Sequence, residues 1–437
     1  MKFVLLTLLS LYFSASLSNE QAPPHSFNLK NGMQVVVIEN KRAPVIAQMI
    51  WYNFGSGIEK TGKSGLAHFM EHLMFKGTRK FPDNYYSNYI SKIGGSENAF
   101  TSYDYTAYYQ VFPKSELKKM MKMEADRMTN LTLTKENVEI EKQVILEERF
   151  QRIESDPSSK LDESMRSILF PNHYYGRPII GWRHEIEGLT YEDVLSFYKE
   201  NYKPNNAILV LSGDVDLEKA KKLSKKYFGK IRKGKQESKL DKITDPDLNT
   251  NIFVKMQHST VKQPIWKKFY RTTSYNSDVN NSIALDMGFK IVASGTSSLL
   301  YENLVEEKKI FSVVGGYFQG LTKGEGNVYL YAIPNEKKTS SEIDNIIMNE
   351  FKEIINKKLT PKRFEIEKKK YFFDTIYKKD GVLNPAQIYG EALTVGLTLD
   401  DIKKWQEKVN NISLNDVKKA LEKLYENKNY VLGELLN

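Results

Sequence analysis

Leu189-Thr190-Tyr191-Glu192-Asp193-Val194 leads through a Tyr-rich turn, Tyr202-Lys203-Pro204-Asn205-Asn206, into the apolar strand Ala207-Ile208-Leu209-Val210-Leu211. Ile412-Ser413-Leu414-Asn415-Asp416-Val417 repeats the pattern 223 residues later, passing Tyr425 and a turn at Asn427 to Asn429 before the strand Tyr430-Val431-Leu432. An offset of half the chain points to a duplication, two structurally similar α+β domains. A chain of 437 residues also exceeds one ordinary core.

Working outward, Phe27 to Ile38 reads as strand, Asn31-Gly32 turn, strand, and Pro44 to Phe54 as a second β-rich run. Gly94-Gly95 followed by Ser96 to Tyr109 suggests a turn and then a strand. Lys114 to Met128 has the helical period, with Leu117, Met120, Met121 and Met128 near one face as core filler. Thr134 to Phe150 is another helix, in which Thr134 and Asn137 only loosely resemble a capping box. A Lys-rich polar segment from Arg232 to Asn249 reads as a linker. The expected limits are a signal peptide at 1–18, a first domain at 19–235, the linker at 236–249 and a second domain at 250–437.

The chemistry gathers in Gly65-Leu66-Ala67-His68-Phe69-Met70-Glu71-His72-Leu73. Histidines four apart on a helix share one face, one turn above the other. Two imidazoles so placed can hold one Zn²⁺. Glu71 stands beside such a metal, where a general base takes a proton from water. This order, His-x-x-Glu-His, inverts the commoner zinc-peptidase motif. A histidine on an apolar helix face is more often a core residue, so a third ligand decides. Glu141 and Glu148 lie seven apart, two turns along one face of their helix. Glu148 can complete a His₂Glu set with one position open, and Glu141 can then orient ligands or water from behind. Glu147 reads as a solvated face residue. The second half has no such pattern, and its one histidine, His258, has no partner at ligand spacing.

Composition narrows the alternatives. Hydrophobic content of 41% and charged content of 27% describe a globular protein. The net charge of +10 comes from lysines spread along the chain, with no dense basic block among aromatics, so no nucleic-acid partner is expected. With no cysteine, disulfides and thiolate chemistry are excluded, and a metal must rely on His and carboxylate ligands. Lys2, the apolar run Phe3 to Phe13 and the small residues Ser14 to Ser18 read as an export signal cleaved before Asn19. The expectation is an exported protein without a stable membrane anchor, periplasmic in a Gram-negative host and otherwise secreted.

With these residues in place, the chain resembles the pitrilysin/insulinase (M16) superfamily of zinc metallopeptidases, in its half-length bacterial and mitochondrial-processing-peptidase-like branch. The likeness runs through nearly all of the chain after the signal and rests on His68, Glu71, His72, Glu141 and Glu148, the last about 76 residues beyond His72. It implies two homologous domains of antiparallel-rich mixed sheet with packed helices, arranged as half of a clamshell (the M16/LuxS-like metallohydrolase fold). It implies one Zn²⁺ per chain held by His68, His72 and Glu148, catalytic roles for Glu71 and Glu141, and a substrate-pairing strand at Asn98, Ala99 and Phe100. The reaction implied is hydrolysis of short or unfolded peptides. Self-sufficient members carry an Arg and, seven residues on, a Tyr in the second domain. Here the Arg position holds Glu306, Phe311 lies where the aromatic is sought, and no Tyr follows until Tyr317. A carboxylate there would repel a developing oxyanion. The resemblance therefore implies a zinc-bearing subunit of a heterodimer, whose homologous partner lacks the zinc motif and supplies the Arg and Tyr. The rival readings are a non-catalytic assembly subunit, which as a rule loses part of the metal motif, and a site-specific processing peptidase.

Overall fold

The computed structural model describes residues 23–235 and 243–437. The expected signal peptide at 1–18 lies outside the described residues, as do 236–242 of the expected linker, while 243–249 form neither helix nor strand.

The first sheet holds β1 (His25–Asn28), β2 (Gln34–Glu39), β3 (Val45–Tyr52), β4 (Ser96–Thr101), β5 (Thr106–Pro113) and β6 (Ala207–Gly213), in the order β1-β2-β6-β3-β5-β4. The second holds β7 (Ile252–Gln257), β8 (Ile265–Thr272), β9 (Phe311–Gln319), β10 (Gly326–Pro334) and β11 (Tyr430–Leu436), in the order β7-β11-β8-β10-β9. Without β1 the two orders coincide strand for strand. So do the directions: β6 runs parallel to β2 and antiparallel to β3, as β11 does to β7 and β8. The duplication is thus a property of the fold.

The repeated segment shows how local chemistry produces it. Thr190 caps the helix Tyr191–Asn201 by accepting from the Asp193 N–H while Asp193 accepts from the Thr190 N–H. Ser413 and Asp416 do the same for the helix Leu414–Tyr425. Each box satisfies two backbone donors that a bare helix start leaves unpaired. Each helix then delivers the chain to the strand, β6 or β11, that lies between a parallel and an antiparallel neighbour.

Apolar runs with no alternation reflect burial on both faces. In β2, Val35 and Val37 enter the first half's own core, whereas Val36 and Ile38 face a cluster built largely from the second half. That shared core arises because the halves exchange helices. The helix Pro157–Leu169 leaves the first half to pack on β8 and β11, and Leu383–Thr394 leaves the second half to pack on β3 and β6. Both contacts are backbone-close at a glycine. Gly433 lies under Met165, and Gly390 lies under the indole of Trp51. A Cβ on Gly390 would fall 1.9 Å from Trp51 Nε1, against a rigid ring. Gly390→Ala is expected to lower unfolding free energy by about 2 kcal/mol, the scale of overpacking, checked by urea denaturation.

Polar contacts lock the joint. The Asp104 carboxylate accepts from Tyr174 Oη at 2.9 Å, Tyr175 Oη at 2.6 Å and the Lys323 N–H at 2.9 Å. The strand expected after Gly94-Gly95 is in fact a hairpin, β4 and β5, whose turn places Asp104 for this role. Among the described residues, no helix is long and apolar enough to cross a membrane.

Candidate active site

The motif helix, Leu66–Leu73, starts from Gly65 at φ 87°, where a Cβ would meet the Ile180 carbonyl at 2.5 Å. Gly65 has no side chain with which to cap the helix, so distant carboxylates do it. Glu59 accepts from the N–H groups of Gly65 at 3.0 Å and Ala67 at 2.7 Å, and Glu185 accepts from Ser64 N–H at 2.6 Å. Glu59 is buried, and burial pushes its carboxyl up to about 8, with the N–H bonds of Ala67 and Gly65 opposing. Glu59→Ala is expected to cost about 2–3 kcal/mol of stability, measured by urea denaturation, because it strands two N–H groups at once.

His68 and His72 rise from this helix one turn apart, their ring centroids separated by 4.8 Å. The helix Lys135–Arg149 lies alongside and brings Glu148 to them, its Oε2 3.6 Å from His68 Nε2 and 3.3 Å from His72 Nε2. All three ligand atoms fall within 4.8 Å of one another. Zinc bonds of about 2.0–2.1 Å in a tetrahedron place neighbouring ligand atoms roughly 3.3–3.4 Å apart, so these separations fit. A further observation agrees with the geometry. Glu148 Oε2 is buried and accepts no hydrogen bond, although it points at two ring nitrogens. A divalent cation would satisfy it. Glu148 Oε1 is engaged instead by Arg152 Nη1 at 2.9 Å.

Glu141 reaches the far nitrogen of the second imidazole, with Oε1 2.8 Å from His72 Nδ1, and its other oxygen meets Lys76 Nζ at 2.7 Å. Glu71 stands outside the three-ligand group and accepts from Thr101 Oγ at 2.5 Å. Asn98, Ala99 and Phe100 lie on β4, the edge of the first sheet, bonded to β5 on one side only. They border the same cavity of about 1060 Å³ as His68, Glu71, His72 and Glu148.

Two family models match this architecture, one described as insulinase (peptidase family M16) over residues 34–182, the other as the peptidase M16 inactive domain over 188–371. The chain belongs to peptidase family M16. It is 29% identical over 358 residues to the zinc protease PqqE of Helicobacter pylori, covering 76% of this chain and 80% of that one. It is 31% identical over 212 residues to a probable mitochondrial-processing peptidase β subunit of Schizosaccharomyces pombe, a match confined to 48% of this chain and 46% of that one. The crystal structure of a protease from Helicobacter pylori superposes with a TM-score of 0.88 at 25% identity, covering 94% of this chain and 99% of that one. These matches place it in the half-length branch of M16.

The clustered side chains all lie within the residues matched by the first model, while the inactive-domain model begins at the end of the first half and runs into the second. The helix Val279–Val292 follows β8 as the motif helix follows β3, yet it contains no histidine. His258 lies beyond β7 and pairs with the Thr260 hydroxyl.

Electrostatics separate the two imidazoles. Burial and the neighbouring His72 push His68 down to about 4, with Glu148 opposing. Burial also pulls on His72, but the Glu141 hydrogen bond and the adjacent Glu141 and Glu148 carboxylates outweigh it and push the imidazole up to about 9. The His72 hydrogen bond, with help from Lys76 and against burial, holds Glu141 down to about 2. Burial raises Glu71, with the Thr101 hydrogen bond opposing. A raised carboxyl is better matched to accepting and returning a proton near neutral pH than an ordinary one.

Three residues of the site escape the motif. Arg152 follows Glu148 by four, a spacing that places it beside its partner and that periodicity could have found, whereas Lys76 lies past the end of the motif helix and meets Glu141 of the neighbouring helix, a contact no spacing records. Thr101 directly follows the Asn98-Ala99-Phe100 segment, but no spacing rule links it to Glu71.

Proposed function

We propose that this M16 chain is a zinc-dependent metalloendopeptidase acting on short or unfolded peptides. The observation that carries the reading is the convergence of His68, His72 and Glu148 with Glu71 beside them at the floor of an open cavity. In this reading His68, His72 and Glu148 hold one Zn²⁺, which when bound supplies a Lewis acid and lowers the pKa of water toward about 7. Glu71 accepts the proton of the attacking water and hands it to the leaving amine. Thr101 fixes one oxygen of that carboxylate, so the other is aimed by default. Glu141 holds the Nδ1 proton of His72, which leaves Nε2 as the ligand atom. The substrate lies along β4 as an added strand, so main-chain bonds are made whatever the side chains.

The reading includes a partner. Glu306 lies exposed in the helical segment Glu302–Glu307, and Lys309 just after it has φ 53°. No guanidinium occupies the segment that resembles the family's Arg-Tyr stretch, so a homologous subunit lacking the zinc motif would complete oxyanion stabilisation. Export through the N-terminal signal belongs to the same proposal.

The test is cleavage of a quenched fluorescent unfolded peptide by the zinc-loaded chain, alone and with its homologous partner. The expected outcome is slow turnover alone and a rise of about 100-fold or more in kcat with the partner, the scale of an oxyanion donor. Full turnover by the chain alone would overturn the partner requirement, and none under either condition would overturn the peptidase assignment.

A further inference from the structure

The cavity above the candidate metal site has a second charged feature that no part of the mechanism uses. Arg166, on the exchanged helix Pro157–Leu169, borders the same space as His68 and Glu71. Its guanidinium carbon lies 5.4 Å from the ring centre of Tyr103 and 5.3 Å from that of Tyr329. One ring comes from the β4–β5 turn of the first half and the other from β10 of the second, so the clamp exists only because the halves are packed together. Two aromatic faces fix the plane of the guanidinium and remove much of the rotamer freedom it would otherwise lose on binding.

The acids nearby are already committed. Asp162, one turn before Arg166 on the same helix, gives Oδ1 to Lys267 and reaches Arg166 only through space, by charge. Glu163 takes both terminal nitrogens of Arg149 at 2.9 Å. Glu148 faces the imidazoles and Arg152. Among the described residues no carboxylate oxygen comes within 4.0 Å of Arg166, whose polar neighbour is the Tyr103 hydroxyl. Beyond Tyr329, Tyr317 stacks on it at 4.6 Å and 20° and remains 51% exposed, so the aromatic wall continues past the cation. A planar, pre-set fork of donors in a peptide-sized cleft, with no carboxylate in contact, matches a carboxylate.

We propose that Arg166, held between Tyr103 and Tyr329, is a specificity subsite for a carboxylate on the bound peptide, carried by an acidic side chain or by the peptide's own C-terminus. The proposal rests on the peptidase reading of the cleft, and its test is a binding measurement that stands apart from turnover. The full chain carrying Glu71→Gln is loaded with zinc and titrated with fluorescein-labelled unfolded peptides, read by anisotropy. The peptides form a scan of single Glu residues, each with a Gln twin, and every one is made with a free or an amidated C-terminus.

The expected result is a Kd about 10- to 100-fold tighter for the carboxylate member of one pair, the size of a charge-assisted bidentate contact. The pair that shows it identifies the source, side chain or terminus. Adding Arg166→Gln should erase that gap while leaving the neutral peptides' Kd unchanged, and Arg166→Lys should keep only part of it. Arg166→Glu should invert it in favour of the Gln twin. Equal Kd values within every pair, a gap that survives Arg166→Gln, or an equal loss for all peptides in all three substituted chains would overturn the subsite. Selective binding with no cleavage by the native chain, alone or with its homologous partner, would sink the peptidase reading and leave the subsite standing.

Discussion

Glu71→Gln is expected to reduce kcat for peptide hydrolysis by about 10³- to 10⁴-fold while leaving zinc content at one per chain and KM nearly unchanged. Glu71 lies outside the group of three ligand atoms, so its charge is not needed to hold the metal. The amide has the same shape and can still accept the Thr101 hydroxyl bond through its carbonyl oxygen. What it cannot do is take a proton from water. The measurement pairs single-turnover cleavage with metal analysis on one preparation. Wild-type turnover in the variant would show that another group is the base. Loss of zinc along with activity would show that Glu71 is a ligand.

Glu148→Gln is expected to have the complementary effect, with zinc lost through gel filtration and activity falling with it. The neutral amide is a poor zinc ligand, and removing one of three protein ligands leaves a two-histidine site. The metal should also cease to stabilise the fold. Saturation to about 100 times Kd adds roughly 2.7 kcal/mol to a native state that alone binds the ligand, and the variant should show no such gain when zinc is added. Glu141→Gln offers the internal contrast. Its carboxylate touches His72 Nδ1 rather than the ligand atoms, so zinc affinity should fall only about 10- to 100-fold. Equal losses in the two variants would mean that Glu141 and Glu148 have been given the wrong roles.

How much of this was legible depended on distance along the chain. His68, Glu71 and His72 are readable because helical period alone places them, and Glu141 with Glu148 for the same reason. That the two helices lie side by side is tertiary, and there the family resemblance supplied what spacing could not. The duplication was readable at its capping residues, Thr190 with Asp193 and Ser413 with Asp416, because those positions are held by backbone hydrogen bonds. The exchange of helices between sheets was not, since a helix with an apolar stripe does not record which sheet it will cover. The caps of the motif helix were hidden similarly. Glu59 and Glu185 act on N–H groups that no capping pattern assigns to them. The hairpin turn at Ser102 to Tyr105 was missed because it has no glycine or proline, and its Asp104 is held by tyrosines from elsewhere. Tyr317, read only as the first tyrosine to follow the position where the family's Tyr is sought, lines the cleft beside Tyr329.

The most direct test of the central claim is the anomalous X-ray scattering of the zinc-loaded Glu71→Gln chain on either side of the zinc absorption edge. The account predicts one peak per chain, bonded to His68 Nε2, His72 Nε2 and a Glu148 oxygen at about 2.0–2.2 Å, with the substituted amide at position 71 unbonded to it. A peak elsewhere, or a zinc ion held by Glu141 or by the side chain at position 71 in place of Glu148, would contradict it.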